Sequence, residues 1–233
     1  MKHCIVNFSD NRFIKGQDRL RESLISNYQG DFISFNDFSQ VGSKTHLEVP
    51  YQFKVFAINK VREMGYDIVL YCDASMYAIK NINPIIDYIN ENGYLLEYCR
   101  NFQTGNIWTS AQFSTDLCLS EFNITRDEAD KIPLHSAGFT GLNFKNEIAN
   151  KFFEEWLIRA KEEKAFIGDW SNANKQCSQD SRCLGHRHDQ TCASIIAHKL
   201  DMNRINPYFM QYDEVENKWN NEETTIFKCR GIF

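Results

Sequence analysis

The chain has 233 residues, 42% of them apolar and 24% charged, enough apolar material for one large or two small cores, which excludes fibres, disordered tails and small cross-linked modules. At this size folding removes roughly 70% of the surface of an extended chain, so stability requires neither disulfides nor metal. A formal charge of −5, with scattered basic residues, weighs against a nucleic-acid or anionic-membrane binder.

The run Cys4 to Phe8, ended by Ser9-Asp10-Asn11, predicts a buried first strand and a polar loop. Leu20, Leu24, Ile25 and Tyr28 then share one face of a helix expected over 16–28, and 31–35 reads as a second strand. Pro50 suits a first helical position, and Phe53, Phe56, Ala57, Val61 and Met64 keep helical spacing up to Gly65. The nearly unbroken apolar run 67–72 is expected of a central parallel strand covered on both faces, and it stops at Asp73-Ala74-Ser75. Asn83-Pro84 opens a helix stopped by Asn92-Gly93, and 94–98 is the next strand.

Beyond residue 98 the alternation loosens. Thr125-Arg126-Asp127-Glu128 forms a capping box, 136–144 reads as a strand, and 146–161 is an amphipathic helix. Residues 163–187 form a polar loop, a last helix runs from His188 to Leu200, and Pro207 to Gln211 is strand-like. This order predicts one α/β domain over 1–233, with a Rossmann-like, mainly parallel central sheet flanked by helices and a less regular second half. Ligands of such sheets bind at the carboxyl ends of the strands, which singles out loops 9–16, 73–79 and 101–110. No apolar run is long enough to span a bilayer and the amino-terminal residues are too polar for a signal segment, so a cytoplasmic protein is expected.

Asp73 ends a buried strand, where a carboxylate can hold a divalent cation that neutralises a diphosphate, with Ser75 or water completing the shell; capping of the following turn is the plainer role. Gly185-His186-Arg187-His188-Asp189-Gln190 leads onto a helix start. Asp189 there can orient an acceptor hydroxyl or take its proton, with His188 as a second titratable group, or it can serve as the N-cap. Arg12, Lys15, Arg19 and Lys54 are cations close to strand ends or the first turn of a helix, able to meet phosphate or simply be solvated. Trp108 and Trp170 lie in irregular segments where stacking on a sugar or base competes with core packing. Most of the eight cysteines sit in apolar runs and are expected as reduced thiols. Cys177, Cys183, His186, His188 and Cys192 are dense enough to close around zinc, although no C-x₂-C pair is present.

Together, Pro50-Tyr51-Gln52-Phe53-Lys54, Asp73-Ala74-Ser75 and Gly185-His186-Arg187-His188-Asp189-Gln190 resemble the GT-A nucleotide-diphospho-sugar transferases, small glycosyltransferase-like proteins of the kind found in phages, large DNA viruses and bacteria. The resemblance implies a nucleotide-sugar-binding half over 1–100, an acceptor-side half over 101–233 and, for a viral member, residence in the host cytoplasm. It implies a hexosyl- or pentosyltransferase moving a sugar from a nucleoside-diphosphate sugar, UDP-linked by family frequency, to a hydroxyl of a glycan, a protein or a modified nucleic-acid base. Ser9, Arg12, Lys54, Asp73 and Ser75 would bind the donor, and Asp189 with His188 would face the reacting groups. Asp73 and Ser75 would hold Mn²⁺ or Mg²⁺, although Ser75 stands where the Asp-x-Asp element has its second acid; a metal-free site relying on Lys54 and Arg12 is the alternative. Two other readings stay open: a zinc-stapled interaction module without catalysis, and a sugar nucleotidyltransferase. The latter usually needs a glycine-rich loop after the first strand, and Asn7 to Arg12 contains no glycine.

Overall fold

The computed structural model describes residues 1–101, 104–205, 209–212 and 223–230. Strand β1 (His3–Phe8) is followed by a 3-10 turn (Asn11–Phe13) capped by the Asp10 side chain, and then by α1 (Ile14–Leu24) and β2 (Asp31–Phe35). Helix α1 begins earlier and ends earlier than its periodicity predicts. Tyr28 lies beyond it, buried, with its hydroxyl 2.7 Å from His3 Nδ1. Next come α2 (Phe38–Val41) and α3 (Gln52–Glu63). Pro50 stays in the preceding turn because Tyr51 takes a left-handed φ of 61° at the N-cap.

The chain continues through β3 (Ile68–Cys72), a short β4 (Met76–Ala78), α4 (Asn83–Asn92) and β5 (Tyr94–Tyr98). Two short helices follow, α5 (Asp116–Glu121) and α6 (Arg126–Ala129), the second opened by the expected Thr125/Glu128 capping box. Then come β6 (His135–Asn143), α7 (Glu147–Glu162), α8 (His188–Lys199), β7 (Met210–Tyr212) and β8 (Phe227–Cys229). Of the strand expected over 207–211, residues 207 and 208 lie outside the described residues.

The main sheet has the order β2-β1-β3-β6-β5. Strands β1, β2 and β3 run parallel, and β6 runs antiparallel to both β3 and β5. Side chains alternate between the two faces as the period of two requires. Val69 and Tyr71 enter one core with α3, α7 and α8, while Leu70 and Cys72 enter another with α1 and α4. Because β6 enters against β3, its first residues lie beside the carboxyl end of β3, and the Asp73 amide donates to Gly138 O at 2.9 Å. The small sheet β4-β8-β7 packs next to that end, with the Arg230 amide donating to Ser75 O at 2.9 Å. All eight cysteines are free thiols, and among the described residues no helix is long and apolar enough to cross a membrane.

Candidate active site

Two cavities meet at the carboxyl ends of β1 and β3 and share Tyr51, Lys54, Asp73 and Ser75. The first, about 260 Å³, is lined by Ser9, Asp10 and Arg12 after β1 and by His46 and Phe53. The second, about 210 Å³, is lined by Ser136 and Gly138 of β6, by Trp170, and by Arg187, Asp189 and Gln190 around the start of α8. Sequence-distant segments thus build one divided cleft.

Lys54 stands at the junction. It lies in the first turn of α3 with its side chain 5% exposed, and its ammonium is 3.0 Å from Asp73 Oδ1, 3.2 Å from Asp73 Oδ2 and 3.5 Å from Asp189 Oδ2. Burial opposes the lysine charge, but Asp189 and Asp73 outweigh it, so the ammonium is held above the ordinary lysine pKa. Burial likewise pushes the Asp189 carboxyl up to about 6, with Lys54 pulling it back and Asp73 adding to the rise. At 3.5 Å the Lys54–Asp189 contact is an ion pair longer than a good hydrogen bond, and Asp189 Oδ2 has no hydrogen-bond partner. Asp189 is therefore not the helix cap: Arg187 occupies the N-cap without a side-chain bond, and the Asp189 carboxylate turns inward to α3.

The other expected donor ligands fall on the first cavity. Ser9 is buried and its hydroxyl donates to Asp10 O at 3.1 Å; Arg12 is exposed and paired with Asp10 at 2.8 Å. Lys15 and Arg19 line neither cavity, and Arg19 instead donates to Ser75 O at 2.9 Å. Trp108 packs edge-on against Phe113.

His188 is placed differently from expectation. It is 1% exposed, lines neither cavity, and its Nδ1 donates to Phe166 O at 2.8 Å, while burial lowers its pKa to about 4. It is a neutral wall beneath Tyr51, whose ring stacks on it at 5.5 Å, rather than a titrating partner of Asp189.

Three features escaped the sequence reading. Asn7 lies inside an apolar strand but is fully buried, donating to Cys72 O at 2.6 Å and accepting from Gln17 at 2.8 Å, while Gln17 accepts from Asn36 at 2.7 Å. This amide chain ties the ends of β1, β3 and β2 together below the first cavity; a polar residue within a buried run was the available signal. Tyr51 folds its ring within 4.8 Å of the Lys54 ammonium, burial pushing its hydroxyl up to about 12. Arg187 lies 4.0 Å over the half-exposed Trp170 ring, donates to Trp170 O at 2.8 Å, and has no carboxylate partner among the described residues.

The metal and zinc expectations meet a different chemistry. Both Asp73 oxygens face the Lys54 ammonium, Ser75 Oγ accepts from Cys229 Sγ at 3.1 Å, and no three His, Cys, Asp or Glu residues among the described ones group as metal ligands. The arrangement does not fit a divalent cation on Asp73 and Ser75. Each thiol of the suspected zinc set is turned to a backbone carbonyl: Cys177 to Asp169 O, Cys183 to Ser114 O and Cys192 to Ala165 O, at 3.1, 3.3 and 3.3 Å.

No protein-family model and no curated protein matches the sequence. Solved structures do match its fold. Mouse xyloside xylosyltransferase 1, in its apo form, superposes with a TM-score of 0.56 at 10% identity, over 98% of this chain and 97% of that one. A glycosyltransferase involved in glycosylation of the major capsid of PBCV-1 gives 0.56 at 11% identity, over 98% and 93%. The bifunctional glycosyltransferase WbbM gives 0.52 at 11% identity; 98% of this chain aligns with 45% of that longer one. The chain therefore has the GT-A-like fold of glycosyltransferases, a mixed α/β architecture with a mostly parallel central sheet.

Proposed function

We propose that this protein is a glycosyltransferase that moves a sugar from a nucleoside-diphosphate sugar, UDP-linked, to a hydroxyl acceptor. The observation that carries the reading is the divided cleft, in which a lysine and two carboxylates sit where the two cavities join. In this reading the nucleoside diphosphate occupies the first cavity against Ser9, Arg12 and Lys54, and the sugar and acceptor meet in the second. The acceptor oxygen bonds to the anomeric carbon, the bond from that carbon to the diphosphate oxygen breaks, and the acceptor proton passes to the Asp189 carboxylate. A carboxyl with a pKa of about 6 is ionised at neutral pH yet basic enough to take a proton as the bond forms. Charge developing on the leaving diphosphate is met by fixed cations in a partly closed site, where such stabilisation is largest. Trp170 and Arg187 supply a flat face and a cationic edge for the acceptor.

A donor screen read by release of free nucleoside diphosphate tests this. Asp189→Asn should keep UDP affinity and lower turnover by roughly 10² to 10⁴, the range for loss of a general base. A protein that neither binds UDP nor releases a nucleoside diphosphate from any donor sinks the reading.

A further inference from the structure

We propose that the Lys54 ammonium occupies the position a divalent cation takes beside the diphosphate, so that this chain engages its donor without metal. The inference rests on the donor reading above for the diphosphate, and on the structure alone for the exclusion of metal from Asp73.

The geometry points there from three sides. The ammonium faces both oxygens of Asp73, at 3.0 and 3.2 Å, and lies 3.5 Å from Asp189 Oδ2. Its side chain is 5% exposed in the first turn of α3. The residue that would complete a metal shell is also engaged: Ser75 Oγ accepts from Cys229, and the Ser75 carbonyl accepts from Arg19 and from the Arg230 amide, at 2.9 Å each.

A metal ion at Asp73 must first remove the ammonium from it. The displaced lysine would keep only Asp189 of its two carboxylate partners, with a divalent charge close by. Leaving a buried charge short of its partner is costly, and the like charges add to that cost. In return the ion would gain one protein carboxylate and would take its remaining oxygens from the diphosphate and water. Lys54, already lining the first cavity alongside Arg12, provides positive charge there without a metal. The trio of Lys54, Asp73 and Asp189 carries one net negative charge, and Arg187 lines the second cavity with no carboxylate partner among the described residues.

Two measurements on the full chain decide the matter. In the first, chelator-treated protein is titrated with Mn²⁺ alone and the free-ion electron paramagnetic resonance signal is followed. Wild type should leave that signal undiminished, whereas Lys54→Met, which frees both Asp73 and Asp189, should bind Mn²⁺ and lose it again in the double variant with Asp73→Asn. Stoichiometric Mn²⁺ binding by wild type that Asp73→Asn removes overturns the proposal, and this result needs no folded Lys54 variant. In the second, UDP affinity is measured by calorimetry in chelator and in Mn²⁺, with Mn²⁺ binding to free UDP subtracted. Wild-type affinity should be the same in both, Lys54→Met should lose about ten- to a hundredfold in chelator, the effect of one charge-assisted contact, and Lys54→Arg should recover part of it. A wild-type affinity that rises tenfold or more with Mn²⁺ overturns the proposal. Failure of UDP to bind under both conditions instead removes the donor reading, and the Mn²⁺ titration still decides whether Lys54 keeps metal off Asp73.

Discussion

Asp73 is held over β6 by a contact that only glycine allows. A Cβ on Gly138 would come within 2.5 Å of Asp73 Oδ2, and the same glycine's carbonyl accepts the Asp73 amide at 2.9 Å. Gly138→Ala should therefore push the carboxylate off Lys54. Donor turnover should fall by about 10² from a misplacement of this kind, and the thermal transition should drop as well because the buried Lys54 loses a carboxylate partner, both checked by kinetics and melting on one preparation. The acid itself was legible, because a lone Asp closing a buried apolar run is a strong sequence signal. Its partner was only half legible: Lys54 read as one surface cation among several, since nothing local says that its stem is buried or that its ammonium meets two acids from other elements.

At the scale of elements, α8 matters through its first turn. The helix is anchored to α7 by Trp156, whose indole NH donates to the Asp189 carbonyl at 3.2 Å. The loop before it is fixed by Gly185, where an added Cβ would fall 1.9 Å from the Trp170 carbonyl oxygen. Gly185→Ala should separate the 170 and 185 segments, spoiling the Trp170–Arg187 wall. We expect acceptor KM to rise and UDP affinity to hold, since the first cavity contains neither residue; equal losses on both sides of the cleft would refute this division. The helix was predictable to within a residue from its apolar spacing, but Asp189 as cap or as inward acid was not, because both fit the same position in sequence. Packing against α3 decided it. The left-handed Tyr51 is a similar case: Pro50 predicts a helix start there, and only tertiary contacts with His46, Trp170 and His188 account for the unusual backbone.

Across the whole molecule, buried histidines set the response to acid. His135 and His186 are fully buried and His188 nearly so, and burial lowers their pKa values to about 3, 3 and 4. The folded state thus binds fewer protons here than the unfolded chain, whose histidines titrate near 6.5. Their contribution to stability is present above that value and is lost as pH falls towards 4, each costing on the order of 1.4 kcal/mol per pH unit. Asp189, with its raised pKa, works the other way between its unfolded value and about 6 and offsets one of the three. Denaturant melts should therefore show stability dropping below about pH 6, with His46, also lowered by burial, and the hydrogen-bonded carboxylates such as Asp67 and Glu128 adding to the loss. A flat profile between pH 6 and 4 would contradict neutral burial of these rings.

The sequence by itself determined the strand and helix alternation, because the period of apolar residues reports burial on one face or two. It also pointed to Asp73 and Asp189, because charged residues at the ends of apolar segments are conspicuous. Tertiary structure alone decided that β6 runs antiparallel beside β3, that His188 is a neutral support, and that Lys54 stands between the two acids. Those outcomes depend on distances between residues far apart in the chain, which local pattern does not encode.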